Sequence, residues 1–365
     1  MEFIDLKEQK DRIRGGVLEA LIEVIDSGQY ILGEKVGKLE AALCKFTKAE
    51  YCISCANGTD ALQIALMALG VAEGDEVITP SFSYIASAET IKLLGAKPVY
   101  IDIDPNTFLL DIQHLEGLIT PKTKVIMPVS LFGLCPDFDQ INDIAKKHNL
   151  MVIEDAAQSF GAVYKNSRSC NLSDIACTSF FPTKPLGCYG DGGAIFTNDK
   201  KLAESIRKIA RHGQVKKYEH EVVGVNSRLD TIQAAIVLEK LNIFEDELIK
   251  RAKIAETYSS LLADVPFIEV PRTFIGKQSA WAQYSILCDH RKELVAWLEQ
   301  HQIPTNIYYQ TPLHEQIATE DKNASLPNTD LVSDRVLSLP MHPYLCLDEV
   351  KYISQIIGNF KKIHD

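Results

Sequence analysis

Between about residue 17 and residue 245, short apolar segments alternate with longer amphipathic ones, and this alternation constrains the fold more than any other feature. The short apolar runs predict strands at residues 51–55, 76–79, 98–101, 124–129 and 151–154. The amphipathic segments between them predict helices at residues 61–69, 86–94 and 137–148. Strands that alternate with helices are typical of a mostly parallel sheet covered by helices on both faces. The sequence therefore predicts an α/β fold.

Beyond about residue 250 the pattern changes, and a chain of 365 residues is long enough for two cores. We expect a large domain over residues 1–248, in which the segment 1–16 could pack elsewhere, and a smaller α+β domain over 249–365. A long apolar helix from Thr231 to Leu241, continuing through Phe244, would link them. The small domain is predicted to contain helix 249–262, strand 282–287, helix 293–301 and a last helix near 347–360.

The balance of charge and the cysteines exclude several classes of protein. The 38 Lys and Arg residues stand against 49 Asp and Glu, a net charge of −11, which disfavours nucleic acid as a partner. Every apolar stretch is far shorter than the ~20 residues of a membrane helix. Nine scattered cysteines indicate reduced thiols in a cytoplasmic enzyme. Cys52 and Cys55 have CxxC spacing, but a second pair is missing, so we predict buried thiols and no metal site.

Lys184 lies between an apolar strand and a glycine-rich turn, with Pro182 and Pro185 restricting the backbone around it. A desolvated lysine at such a position would have a lowered pKa and could act as a nucleophile or proton carrier. Most lysines in loops are simply solvated, so the residue gains meaning only together with others.

Asp155 follows a buried strand, where ligands bind open α/β sheets. The segment between Asp155 and Lys184 leaves room for a loop and one strand. A pyridoxal-phosphate enzyme needs a carboxylate against the pyridine nitrogen, and Asp155 fits that need. Gln158 could then face the ring hydroxyl. Alternatively, Asp155 could cap the following turn.

Two further turns could complete a cofactor site. Asn57-Gly58-Thr59-Asp60 connects a strand to a helix, and the N–H groups of such a turn suit a phosphate. The same residues would also make an ordinary turn and helix cap. Ser179 could supply a hydroxyl to this phosphate. Tyr84, after another strand, could stack on the cofactor ring, or it could belong to the core.

These segments, in this order, resemble the DegT/DnrJ/EryC1/StrS family of nucleotide-sugar aminotransferases, and the resemblance runs through nearly the whole chain. It is carried by blocks at residues 28–33, 54–62, 154–161, 179–193 and 224–230. Two blocks are specific, Lys-Pro-Leu-Gly from Lys184 and Asn-Ser-Arg-Leu-Asp from Asn226. The family implies a fold type I pyridoxal 5′-phosphate (PLP) enzyme that works as a homodimer with active sites at the subunit interface.

The resemblance also implies roles for individual residues. Lys184 would be the Schiff-base lysine, Asp155 would pair with the pyridinium, and Gln158 would bond the ring hydroxyl. Gly58, Thr59 and Ser179 would hold the phosphate. From the neighbouring subunit, Asn226 would reach the same phosphate and Arg228 would lie near the substrate sugar. The amino donor would be glutamate.

Within the family, four segments look like the members that aminate the C3 ketone of a UDP-2-acetamido-3-oxo-hexuronate for O-antigen and related surface polysaccharides. These segments are residues 3–7, 167–172, 180–193 and 339–345. An anionic uronate gives Arg228 a carboxylate to pair with. Such members commonly have His-Tyr-Pro where this chain has Tyr308-Tyr309-Gln310, so a contact made elsewhere by histidine would here be a neutral hydrogen bond. Tyr308 and Tyr309 are thus candidate substrate residues.

Two alternatives to this function stay open. One is a 3- or 4-keto-6-deoxyhexose aminotransferase acting on a dTDP-, UDP- or GDP-sugar. The other is a catalytically silent relative that serves as a binding protein.

Overall fold

The computed structural model describes residues 1–364, with side chains up to residue 360. The helices are α1 Leu6–Ser27, α2 Glu34–Thr47, α3 Gly58–Ala68, α4 Ala86–Leu93, α5 Ile112–Leu115, α6 Phe138–His148, α7 Lys200–Ile209, α8 Thr231–Leu262, α9 Arg291–Gln300, α10 Pro327–Arg335 and α11 Leu347–His364. The strands are β1 Tyr51–Cys55, β2 Glu76–Pro80, β3 Lys97–Ile101, β4 Thr123–Ile126, β5 Met151–Asp155, β6 Val163–Tyr164, β7 Ser167–Arg168, β8 Ile175–Ser179, β9 Gly193–Thr197, β10 Gln214–Lys216, β11 Glu219–His220, β12 Ile268–Glu269, β13 Lys277–Gln278, β14 Tyr284–Cys288 and β15 Val336–Leu339.

A seven-stranded sheet with strand order β1-β9-β8-β5-β4-β2-β3 forms the centre of the fold. Strands β8, β5, β4, β2 and β3 pair in parallel. Strand β9 pairs antiparallel with both β8 and β1, so it alone runs against its six companions in this sheet. The predicted α/β fold with a mostly parallel sheet is therefore confirmed.

A smaller sheet, β12-β14-β15, lies in the C-terminal part of the chain and packs with helices α9 and α11. Its strands are antiparallel, as expected for an α+β arrangement. The predicted strand at residues 282–287 is observed as β14, with slightly later bounds. The predicted strand at 124–129 is observed as β4, which ends at Ile126, and beyond it Val129 still forms an isolated parallel bridge with Asp155.

The prediction of two helices between residues 231 and 262 is wrong, because α8 continues through Glu245-Asp246-Glu247 without interruption. No glycine or proline stands in these 32 residues, so nothing forces the helix to end. The first half of α8 buries Ala234 and Phe244 against the large sheet, and the second half buries Tyr258 and Leu262 against the small one. The predicted boundary at residue 248 falls inside this helix, and the division into domains stays a prediction.

The N-terminal segment contacts helix α8 and also the C-terminal part of the chain. Helix α1 packs its apolar face on α8, where Val17 and Val24 are buried. The Gln9 amide donates to the buried Glu247 carboxylate at 3.1 Å, and the Tyr344 hydroxyl donates to the same carboxylate. Farther upstream, the Phe3 carbonyl oxygen accepts from the N–H of Met341. The segment 1–16 thus lies along α8 and reaches the C-terminal part.

The parallel strands place the loops after β2, β4, β5 and β8 at one edge of the large sheet, where ligands bind in open α/β folds. Within residues 1–364, no helix has the length and apolar character needed to cross a membrane.

Candidate active site

Asp155 is the last residue of β5, in the middle of the sheet, and its side chain is buried. The Ser87 hydroxyl donates to one carboxylate oxygen at 2.9 Å, and the N–H of Ala157 donates to the other at 3.2 Å. Burial raises the pKa of Asp155, and these two donors together with the charge of Lys184 oppose that rise. A cationic group brought against this carboxylate would favour its ionised form.

Glu154 lies on the opposite face of β5, because side chains alternate along a strand. This fully buried carboxylate accepts from the hydroxyls of Ser130 and Ser169 at 2.7 Å and from the N–H of Cys170 at 2.9 Å. Burial raises its pKa in spite of these donors. The N–H of Ser130 donates to the Asp155 carbonyl oxygen at 3.0 Å. Ser130 therefore links the Glu154 carboxylate to the backbone at the end of β5.

Lys184 is in the turn after β8, held by its N–H, which donates to the Phe181 carbonyl oxygen at 2.9 Å. Burial lowers the pKa of its amine, and the nearby charge of Asp155 opposes the change. In the part of the chain that the structure describes, the amine forms no hydrogen bond or ion pair. A buried amine without a hydrogen-bond partner, close enough to Asp155 to interact with its charge, is the arrangement that the two sequence motifs predict.

Gly58 and Ser179 come into direct contact at the start of α3. A methyl group on Gly58 would lie 2.7 Å from the Ser179 β-carbon, so only glycine allows this approach. Asn57 caps the helix by accepting from the N–H of Asp60 at 2.8 Å. Gly58 and Thr59 stand in the first turn, where N–H groups lack helical partners. These groups and the Ser179 hydroxyl form a cradle suited to a phosphate.

An aromatic cluster lies near Asp155, whose charge acts on Tyr309. The rings of Tyr84 and Tyr309 are 6.3 Å apart, and Tyr84 is 56% exposed, so it belongs to the site wall and not to the core. The Gln158 amide nitrogen donates to the Tyr309 hydroxyl at 3.0 Å, while its oxygen accepts from the N–H of Phe132 at 2.8 Å. The rings of Tyr308 and Tyr309 meet edge to face, and the Tyr308 ring also contacts Phe3 of the N-terminal segment.

Asn226 and Arg228 lie in the segment before α8. Asn226 is exposed and Arg228 is half-buried. Between them, the Ser227 hydroxyl accepts from the N–H of Ala56 at 3.0 Å, close to the glycine of the cradle. Among the described residues, neither side chain forms a hydrogen bond or ion pair with Lys184 or the turn around it.

The geometry fits a phosphorylated pyridine aldehyde: an unpartnered amine, a buried carboxylate, an aromatic wall and a phosphate cradle meet at one sheet edge. Sequence reasoning did not find Glu154 as a supporting residue, nor Ser87 and Ser130. Glu154 stands next to Asp155 in the sequence, and strand alternation could have assigned it to the opposite face. Ser87 gives no sequence signal, because only the packing of α4 brings it to Asp155.

Known proteins show extensive similarity to this chain. A sequence profile of the DegT/DnrJ/EryC1/StrS aminotransferase family matches residues 11–358. The UDP-2-acetamido-2-deoxy-3-oxo-D-glucuronate aminotransferase of Pseudomonas aeruginosa is 58% identical over 363 residues, covering 98% of this chain and 100% of that protein. A DegT DnrJ EryC1 StrS aminotransferase from Brucella abortus has a crystal structure with a TM-score of 0.95 and 43% identity, covering 99% of both chains. The structure of ntda from Bacillus subtilis with bound cofactor PMP has a TM-score of 0.91 and 31% identity, covering 99% of this chain and 83% of that one.

Because hydrogen-bond donors surround Glu154, we expect a substitution that removes one of its acceptor oxygens to destabilise the protein. Glu154→Gln keeps the size but replaces an acceptor oxygen by an amide that donates, leaving a buried donor without a partner. We expect the free energy of unfolding to fall by about 1–3 kcal/mol. Urea denaturation followed by circular dichroism measures this change. Glu50→Gln, at an exposed position without an ion pair among the described residues, serves as the control. Equal stability of the two variants would contradict the role given to Glu154.

Proposed function

This chain belongs to the DegT/DnrJ/EryC1/StrS aminotransferase family and is a PLP-dependent sugar aminotransferase, and we propose that its substrate is a UDP-2-acetamido-3-oxo-hexuronate. The amino group of glutamate would go to the C3 ketone of this sugar, in the synthesis of O-antigen or a related bacterial surface polysaccharide. The observation that carries the choice of sugar is the 58% identity, over the full length, with an enzyme named for this substrate. A cytoplasmic location, suited to nine free thiols, is part of the proposal.

Different residues would hold the aldehyde, the ring and the phosphate of the cofactor. Lys184 would hold the aldehyde and Asp155 would face the ring nitrogen. Gly58, Thr59 and Ser179 would bind the phosphate through N–H and hydroxyl groups. The remaining cofactor contacts would come from Tyr84, Gln158 and Asn226.

When bound, PLP supplies an aldehyde that accepts an amino group and a protonated ring that delocalises the electron pair of a carbanion. Lys184 would take the α-proton of glutamate and return a proton one position along, acting as base and then as acid. Burial lowers the pKa of its amine, which favours the neutral form that this first step requires. Asp155 would keep the ring nitrogen protonated, and the same residues would work in reverse order on the ketosugar.

Arg228, Tyr308 and Tyr309 are the proposed substrate residues. Arg228 would pair with the sugar carboxylate in a charge-assisted contact. Tyr309 already bonds Gln158, so its hydroxyl lies next to a proposed cofactor residue. Tyr308, where related enzymes have histidine, would offer a neutral hydroxyl whose pKa is raised by burial.

A homodimer with shared active sites is supported by exposed apolar residues on two segments. Tyr30, Ile31 and Leu32 stand exposed after α1. Tyr218 and Val223, in and after the β10–β11 hairpin, are 83% and 86% exposed. Apolar surface of this kind marks protein contacts. Asn226 and Arg228, close in sequence to the hairpin, would then enter the neighbouring site.

We expect the holoenzyme to absorb near the edge of the visible range and to bleach when glutamate is added. Lys184→Ala removes the amine that would hold the cofactor aldehyde and take the α-proton of glutamate. The spectral response and transamination should therefore both be lost. Absorption spectra and a coupled 2-oxoglutarate assay measure the two effects. Lys201→Ala, an exposed lysine on α7, is the control and should behave as wild type. Full transamination by Lys184→Ala would rule out the assignment.

The uronate assignment predicts a demand for the sugar carboxylate. Glutamate-dependent amination of 3-oxo UDP-sugars should be at least about tenfold more efficient with the C6 carboxylate than without it. Arg228→Gln should remove most of that preference by raising KM for the uronate. Steady-state kinetics across the panel tests this. Better turnover of 3- or 4-keto-6-deoxyhexoses would favour the alternative substrate, and absence of any cofactor spectrum would favour a silent binding protein.

Mixed dimers test whether the sites are shared. Assayed with the uronate well below KM, a Lys184→Ala chain should be inactive alone and an Arg228→Ala chain should keep about a tenth or less of wild-type activity. If Arg228 serves the neighbouring subunit, every mixed dimer has one intact site, and refolding an equal mixture should restore about a quarter of wild-type activity. If Arg228 serves its own subunit, both sites of a mixed dimer are damaged and no activity returns.

A further inference from the structure

Three arginines gather near the end of α7 and the segment before α8. Arg207 is satisfied: its guanidinium donates to the Glu40 carboxylate at 3.1 Å and to the Cys52 carbonyl oxygen at 3.3 Å. Glu40 is further engaged by the N–H and hydroxyl of Ser54, both at 2.9 Å. The single carboxylate of this cluster is therefore already in use.

Arg211 and Arg228 are not satisfied in this way. Among residues 1–364, the side chain of neither forms an ion pair or a hydrogen bond, although both are half-buried. Burial lowers the pKa of Arg211, the charges of Arg207 and Arg228 lower it further, and Glu40 only partly opposes them. Half-buried cations that repel one another are unfavourable by themselves, and in a chain of net charge −11 acidic partners are not scarce. This arrangement is typical of a binding site for an anion.

The backbone places these cations next to a residue already assigned to ligand binding. Arg211 and Asn226 are opposed in an antiparallel bridge, so their side chains emerge side by side on the same face. In an extended segment, Arg228 shares that face with Asn226, whereas Ser227 points the other way to Ala56.

We propose that Arg211 is a substrate-binding residue that pairs with an oxyanion of the nucleotide sugar, beside Asn226 and Arg228. This inference rests on the proposed function, which supplies a ligand with two anionic groups, a diphosphate and a sugar carboxylate. Two guanidinium groups on one face match that pair of charges, and the planar fork of arginine fits either oxyanion in a bidentate manner.

The test compares the binding of three commercial ligands, UDP, UDP-glucuronate and UDP-N-acetylglucosamine, to the PLP-loaded enzyme by isothermal titration calorimetry. Arg211→Gln should weaken the binding of UDP-glucuronate at least about tenfold without loss of bound PLP. If Arg211 contacts the diphosphate, all three ligands weaken by a similar factor. If it contacts the carboxylate, UDP-glucuronate alone weakens. Arg211→Lys, which keeps the charge but loses the fork, should be intermediate.

Arg207→Gln is the matched control, because this arginine is occupied by Glu40 and should affect thermal stability but not ligand binding. Unchanged affinities in Arg211→Gln would overturn the proposal, as would an equal loss in Arg207→Gln. Loss of PLP from Arg211→Gln would instead assign the residue to the cofactor phosphate and also overturn it. If the wild-type enzyme binds none of the three ligands, the proposed nucleotide-sugar function fails and this inference fails with it.

Discussion

Two adjacent carboxylates at the end of β5, Glu154 and Asp155, are the feature on which the rest of the site depends. Both are buried in the centre of the sheet, where an ionised group is unfavourable unless donors surround it. Serine hydroxyls and a backbone N–H surround Glu154 and meet this requirement. Asp155 has two donors among the described residues. The oxygens of Glu154 are thus occupied by structural hydrogen bonds, and Asp155 retains the capacity to bind a cation from the cleft.

The other parts of the site are arranged around that carboxylate by close backbone contacts. Gly58 allows α3 to begin against Ser179, and the turn after β8 brings the amine of Lys184 into the field of Asp155. On the other side, Tyr309 is fixed by Gln158, in the turn that follows Asp155. The continuous helix α8 connects the two sheets, because its first half packs on the large one and its second half on the small one.

Family membership and fold decide the chemistry, and charge separates one substrate class from another. The known relatives establish a fold type I aminotransferase with PLP, and the parallel sheet agrees with that architecture. The same fold can serve many sugars, so specificity has to come from side chains at the cleft. Among the described residues, two arginines beside Asn226 form no ion pair, which favours a ligand that carries a second anionic group, such as a sugar carboxylate, in addition to its diphosphate.

The sequence alone determined the α/β class, the order of most elements and the motifs around Lys184, Asp155 and Gly58, because strand periodicity and turn chemistry are local properties. It misjudged the continuity of α8, since a polar stretch within a helix resembles a break when only composition is visible. Only the tertiary structure decided that Ser87 supports Asp155 and that Arg211 stands beside Asn226. The members of each pair belong to different parts of the chain. Such contacts arise from the packing of α4 on the sheet and from the bridge before α8, and no local pattern encodes them.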